Sequence, residues 1–161
     1  MTNTPARQTP RLYFDDIEVG QRFSPTNTWT IDAEQIRAFA AQFDPQPFHL
    51  EETAGRETVF GGLVASGWHT AALTMRLIVE GGQPFAGGTV GLGAELTWHE
   101  PVRPGDTLNV RAEVIATTPS RSRPDRGRVV IRNETLNQHG KVVQTCISKV
   151  LVPRRPQPGG S

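Results

Sequence analysis

Residues 68–79 form a block that is apolar almost all the way round. Trp68, Ala71, Ala72, Leu73, Met75, Leu77, Ile78 and Val79 at helical spacing leave little room for a wet face. Such a helix is expected in the middle of a domain, and the residues after it have a different period. From Thr89 onward Val90, Leu92, Ala94, Leu96 and Trp98 alternate with Gly, Glu and Thr. Leu108 to Ile115 alternates again after a turn at Pro101–Asp106, and Arg128–Leu136 and Lys141–Val152 read as a hairpin around Asn137–Gly140. One apolar helix followed by about four long strands implies an α+β fold in which an antiparallel sheet wraps a central helix.

Ahead of the helix, Gln21–Thr30 carries Phe23, Thr26, Thr28 and Trp29 in a setting suited to a strand. Ile36, Phe39, Ala40 and Phe43 then recur at helical spacing, and Asp32 with Gln35 makes a capping box, so a helix is expected to begin near Ala33. Pro45 and Pro47 should end it at Phe43 or Asp44 and leave the chain extended. Asp44 would then face the negative end of the helix, which should raise its pKa and make it a better proton acceptor than an ordinary surface Asp. His49, five positions on, is too far along for one helical face, so the two can share a water only if the fold bends them together. On spacing alone the pair is better explained by a solvated helix-end carboxylate and a buried, hydrogen-bonded imidazole.

The 161 residues fit one domain, expected over 12–153, with loose polar ends at 1–11 and 154–161. Seventeen basic against 16 acidic residues give a net charge of +1, so no global field recommends nucleic acid or an acidic membrane as partner. Cys146 is the sole cysteine, which excludes an intramolecular disulfide, and its strand-like surroundings suggest a small buried residue. With no signal-like block and no apolar run long enough to span a bilayer, a cytoplasmic protein is the expectation. The four histidines show no spacing that suggests a metal site: His69 reads as a helix residue with a structural hydrogen bond, His99 and His139 as strand-end and turn residues. Arg121, Arg123, Arg126 and Arg128 sit among Ser, Pro and Gly, as a solvated loop or as a lip for ligand phosphates.

From about Tyr13 to Val152 the chain resembles the MaoC-like dehydratases of hotdog fold, which include R-specific enoyl-CoA hydratases. The resemblance rests on Phe14–Gly20, on the D-x-x-P-x-H motif as Asp44-Pro45-Gln46-Pro47-Phe48-His49, on the buried helix, and on Val102–Leu108. It implies a hydro-lyase of fatty-acid metabolism that hydrates a 2-enoyl-CoA reversibly, coenzyme A being part of the substrate, with no separate cofactor and no metal. Asp44 and His49 would activate the water, and the Gly67 backbone N–H would serve as oxyanion donor. Gln46 and Ser66 would touch the substrate, and Arg121 and Arg123 the coenzyme A phosphates. Gln46 stands where the hydratases often have Asn, Ser66 where a His is common, and Met75 where some carry a Ser. A homodimer is the minimum assembly implied, with higher homo-oligomers open. The alternatives on the same fold are an acyl-CoA thioesterase, for which a carboxylate on the central helix is missing before Glu80, and a non-catalytic acyl-CoA-binding protein, which would need neither Asp44 nor His49.

Overall fold

The computed structural model describes residues 11–159; residues 1–10 and 160–161, which fall within the ends expected to be loose, lie outside it. Two-residue strands β1 (Arg22–Phe23) and β2 (Trp29–Thr30) precede helix α1 (Ala33–Phe43) and two short helices, α2 (Pro47–Leu50) and α3 (Glu52–Arg56). Helix α4 (Gly67–Leu77) runs into a π-helical turn at Ile78–Gly82, and four long strands come after it: β3 (Val90–Trp98), β4 (Thr107–Pro119), β5 (Arg126–Leu136) and β6 (Val142–Pro153). The sheet order is β1-β4-β5-β6-β3, every pairing antiparallel, with β2 also on β4. This is the expected α+β hotdog, a sheet curled around α4.

The capping box is present: Asp32 Oδ1 accepts from the Gln35 N–H at 2.8 Å and the Gln35 side chain accepts from the Asp32 N–H at 3.2 Å. The turn before β4 needs a left-handed residue, which Gly105 provides at φ 90°, closed by the Asp106 N–H on the Arg103 carbonyl at 3.1 Å.

Two expectations are corrected. The stretch 21–30 holds two separate two-residue strands, because β1 and β2 meet β4 at different levels, Arg22 opposite Glu113 and Trp29 opposite Leu108. Helix α4 is not covered all round: Trp68 and Met75, and Val79 in the π-helical turn that continues it, are exposed in the single chain, on one side beside an equally exposed edge strand β3. The start of the C-terminal tail is docked, Arg154 and Arg155 pairing with Asp15 and Asp16 at 2.5 and 2.7 Å while their guanidinium groups lie over Phe14 and Tyr13.

The core is divided. Ile31, Ile36, Leu63, Leu73, Leu77, Val102, Leu108 and Val143 form a cluster that carries α1 and α4. Phe14, Phe85, Val114, Val129, Ile131, Val150 and Val152 form a second cluster toward the other end of the sheet. At Gln144 on β6, and at Asn133 and Thr135 on β5, the inner face is polar and still buried, while Cys146 and Ser148 farther along β6 are half-buried.

Candidate active site at the mouth of the central helix

Asp44 ends α1 as its C-cap, and Pro45 keeps the helix from continuing. The chain does not run on extended as expected. The Gln46 N–H bonds the Asp44 carbonyl at 2.8 Å, Pro47 opens α2 at its first position, where a missing N–H costs nothing, and the His49 N–H bonds the Gln46 carbonyl at 3.0 Å. This reversal supplies the bend that spacing alone could not reveal. His49 Nε2 comes to 3.2 Å from Asp44 Oδ2, with the imidazole side chain 6% and the carboxylate 17% exposed.

The orientation of the imidazole is set from behind. His49 Nδ1 lies 2.7 Å from the Val64 carbonyl, which can only accept, so Nδ1 carries a hydrogen. In the neutral ring Nε2 is then an acceptor facing a second acceptor, Asp44 Oδ2. A water donating one hydrogen to each satisfies both, as does a proton held between them. Val64 itself is tethered by its N–H to the Phe48 carbonyl at 3.4 Å, and Ala65 by its N–H to the Val102 carbonyl at 2.9 Å.

Asp44 corrects a second expectation. Burial does push its pKa upward, but the Ser66 hydroxyl, the Gln46 amide and His49 together outweigh that, and the carboxyl lies below its ordinary value. The Ser66 hydroxyl donates to Oδ2 at 2.7 Å and the Gln46 amide to Oδ1 at 2.8 Å. The helix-end field felt by Asp44 is weaker than three direct partners.

Ser66, expected to meet the substrate, is fully buried. Its oxygen holds Asp44 and accepts the Trp68 N–H at 3.3 Å as N-cap of α4, so it touches the carboxylate and the helix start and does not line the cleft. Gly67 does line the cleft, and its N–H has no acceptor among the described residues. A Cβ at Gly67 would lie 2.5 Å from Trp98 Cε2. Gly67 thus permits two close approaches, that of the indole and that of whatever occupies the cleft. Trp98 Nε1 lies 3.0 Å from both the Gly67 carbonyl and Gln144 Oε1.

The cleft has a volume of about 380 Å³ and is walled by Phe48, Phe60, Val64, Trp68, Trp98 and Val102, with Asp44, Gln46 and His49 at one side. Its walls are mostly apolar and its polar groups converge on one spot, as small-ligand sites commonly do. Arg121 and Arg123 are not brought there. They sit in the β4–β5 loop, beyond the strand ends marked by Gly127 opposite Val152, whereas the cleft lies near Gln144, eight residues earlier on β6 and roughly 26 Å away. Arg123 approaches Asp125 at 3.7 Å. His69 also departs from expectation: its ring stacks on Phe39 at 4.5 Å and 3°, its buried Nδ1 has no partner among the described residues, and desolvation lowers its pKa. His99 lines the cleft and its Nε2 lies 2.8 Å from the Thr145 hydroxyl. Trp98, Gln144 and the Val64 carbonyl join the site without having been expected there. Trp98 had a signal, a large aromatic at the end of an alternating strand; a backbone carbonyl has none. Among the described residues no cluster of three or more His, Cys, Asp or Glu is placed to hold a metal, and no helix is long and apolar enough to cross a membrane.

A hotdog with an Asp–His pair at the N-terminus of its central helix defines a class of small α+β proteins with a site at the helix mouth. Residues 16–137 match the family described as MaoC like domain, and the chain belongs to that family. It is 55% identical to a MaoC-like dehydratase from Rhodospirillum rubrum whose crystal structure superposes with a TM-score of 0.88, covering 91% of this chain and 99% of that one. It is 30% identical to the (R)-specific enoyl-CoA hydratase of the same organism over 149 residues, 89% of this chain and 93% of the relative. To a 3-hydroxybutyryl-CoA dehydratase of Methylorubrum extorquens it is 34% identical over 114 residues, 70% of this chain and 69% of the relative.

Proposed function

We propose that this protein is a hydro-lyase that adds water reversibly across the double bond of a 2-enoyl-CoA to give a 3-hydroxyacyl-CoA. The observation that carries the reading is the facing of Asp44 Oδ2 and His49 Nε2 across 3.2 Å in a cleft that also exposes the Gly67 N–H. The pair holds a water, takes one of its protons as the oxygen bonds to C3, and a proton is returned to C2, so that H and OH both end on the substrate. As the C3–O bond forms, negative charge passes to the thioester oxygen. The Gly67 N–H, at the positive end of α4, is oriented for that charge before it develops, which is worth about 3–4 kcal/mol for a donor of this kind. Membership of the family and the hydratase and dehydratase relatives support this reading. For a thioesterase the nearest acid on the helix axis, Glu80, pairs with Arg76 at 2.9 Å and lies outside the cleft.

The exposed stripe and edge favour a homodimer in which β3 pairs with its own copy about a two-fold axis, covering Leu92, Trp68 and Met75. Antiparallel self-pairing would set the partner's Val90 end beside this chain's Trp98 end. Arg121 and Arg123 would then reach coenzyme A phosphates from across the interface, not within their own chain. A further cavity under α4, bordered by Ala71, Met75, Ile78 and Leu96, would house the acyl chain. The test is crotonyl-CoA hydration followed by loss of enoyl absorbance: Asp44→Asn and His49→Ala should each lower kcat at least about 100-fold with unchanged circular dichroism. Near-native turnover by both variants would refute the assignment.

A further inference from the structure

Under α4 lies a cavity of about 350 Å³ that is largely apolar in area and yet is bordered by Thr74, Gln83, Asn133, Gln144, Cys146 and Ser148. It fills the gap between the two halves of the core, and the Trp98–Gln144 hydrogen bond links its lining to that of the catalytic cleft. Asn133 and Gln144 are 1% and 0% exposed, Thr74 3% and Gln83 9%. Amides buried to this degree cost free energy unless each polar atom is paired, and a site meant only for hydrocarbon would be lined by aliphatic side chains.

The hydrogen-bonding capacity of these groups divides into two sets. The first is nearly closed, with one Gln144 Nε2 hydrogen left over: Gln144 Oε1 accepts from Trp98, Gln144 Nε2 donates to Thr74 Oγ1 at 3.1 Å, and Thr74 Oγ1 meets the Thr70 carbonyl at 2.8 Å and the Thr135 hydroxyl at 2.6 Å. The second is open. Gln83 Nε2 donates to Asn133 Oδ1, and Asn133 Nδ2 donates to Ser148 Oγ at 3.1 Å and the Cys146 carbonyl at 3.5 Å. After these bonds, one acceptor, Gln83 Oε1, and two donors, the second Gln83 Nε2 hydrogen and the Ser148 hydroxyl hydrogen, have no partner among the described residues. One acceptor beside two donors is the complement of an alcohol, which gives one hydrogen and accepts at its oxygen. Among the described residues no lysine or arginine borders the cavity, so a carboxylate would enter without a counter-charge from them.

We infer that the open amide–hydroxyl set of Gln83, Asn133 and Ser148 recognises a hydroxyl group carried on the distal part of the acyl chain, so that the preferred substrate class is hydroxylated 2-enoyl-CoAs. This rests on the hydratase reading for the chemistry at the cleft, but the recognition itself is a binding property. Gly67 and Ile78 lie eleven residues apart on the helix axis, about 16 Å, so a chain starting at the cleft meets the set only when it is of medium length.

The experiment compares kcat/KM for hexenoyl-, octenoyl- and decenoyl-CoA with that for the ω-hydroxylated member of each pair. In parallel, equilibrium binding of octanoyl-CoA and ω-hydroxyoctanoyl-CoA to the intact protein is measured by calorimetry. For the chain length that reaches the set, the hydroxylated member should be favoured by about 10- to 100-fold in both readouts. In Ser148→Ala and in Gln83→Leu the hydroxy-to-parent ratio should fall toward one, judged as a ratio within each variant so that a loss of folded protein cancels. Parent chains that bind and turn over as well as their hydroxylated partners at every length would overturn the inference while leaving the hydratase reading intact. Preferential binding of the hydroxylated analogue with no turnover of any enoyl-CoA would uphold it and refute the hydratase reading.

Discussion

Replacing Ser66 by Ala removes one oxygen that has two partners, and the consequences can be separated by pH. The hydroxyl donates to Asp44 Oδ2 at 2.7 Å and accepts from the Trp68 N–H at 3.3 Å. Loss of the cap costs about 1 kcal/mol, and loss of a hydrogen bond to a carboxylate about 1.5–3 kcal/mol, reduced here because Asp44 at 17% exposure can recruit some water. A net destabilisation of about 2 kcal/mol lowers Tm by roughly 4–8 °C for a domain of this size. The sign with pH comes from the carboxyl. Burial raises its pKa, and the Ser66 hydrogen bond is foremost among the partners that bring it below the ordinary value. A carboxyl with a lowered folded pKa contributes stability above its unfolded pKa, and that contribution is lost as pH falls through the folded value. Without Ser66 the folded pKa rises, so the Asp44 share of the Tm difference between wild type and variant should be full near neutrality and vanish as the pH falls through the lowered folded pKa of the wild type. The cap share should not change with pH. In crotonyl-CoA hydration the acid limb of the kcat/KM profile should move to higher pH. A Tm difference constant from neutral to acid pH, with an unmoved acid limb, would refute the reasoning and leave Ser66 as a helix cap alone.

Two further outcomes are expected. Gly67→Ala puts a methyl 2.5 Å from Trp98 Cε2 and 2.9 Å from Cδ2, so the indole must shift; a stability loss of about 1–3 kcal/mol and a displaced tryptophan emission maximum should result, and unchanged emission would contradict that packing. Leu92→Lys places a charge on the unpaired β3 edge, where Leu92 is 55% exposed, and should convert a dimer to a monomer in sedimentation velocity; a wild-type chain that sediments as a monomer would refute self-pairing.

The elements that could be read from residues are those in which one local rule acts without competition. Asp32 and Gln35 announce the start of α1 because a capping box involves only neighbours, and β3 and β4 announce themselves because apolar alternation persists over Val90–Trp98 and Leu108–Ile115. The errors arose where a tertiary partner outweighed the local rule. The exposed stripe on α4 has the composition of a buried face, since an apolar residue left exposed on the single chain is indistinguishable in sequence from one in the core. The Asp44 carboxyl was assigned the sign of the helix-end field, which acts through a partial charge, whereas Ser66, 22 residues on, acts through a direct 2.7 Å bond. The motif from Asp44 to His49 was visible as spacing, but its geometry depends on the Val64 carbonyl that holds Nδ1. That acceptor is independent of the side chain at position 64 and depends only on where the backbone passes. A Val64 substitution that keeps the backbone course should therefore leave the imidazole orientation in place, while a change that shifts the 63–65 segment should release it without touching either member of the pair.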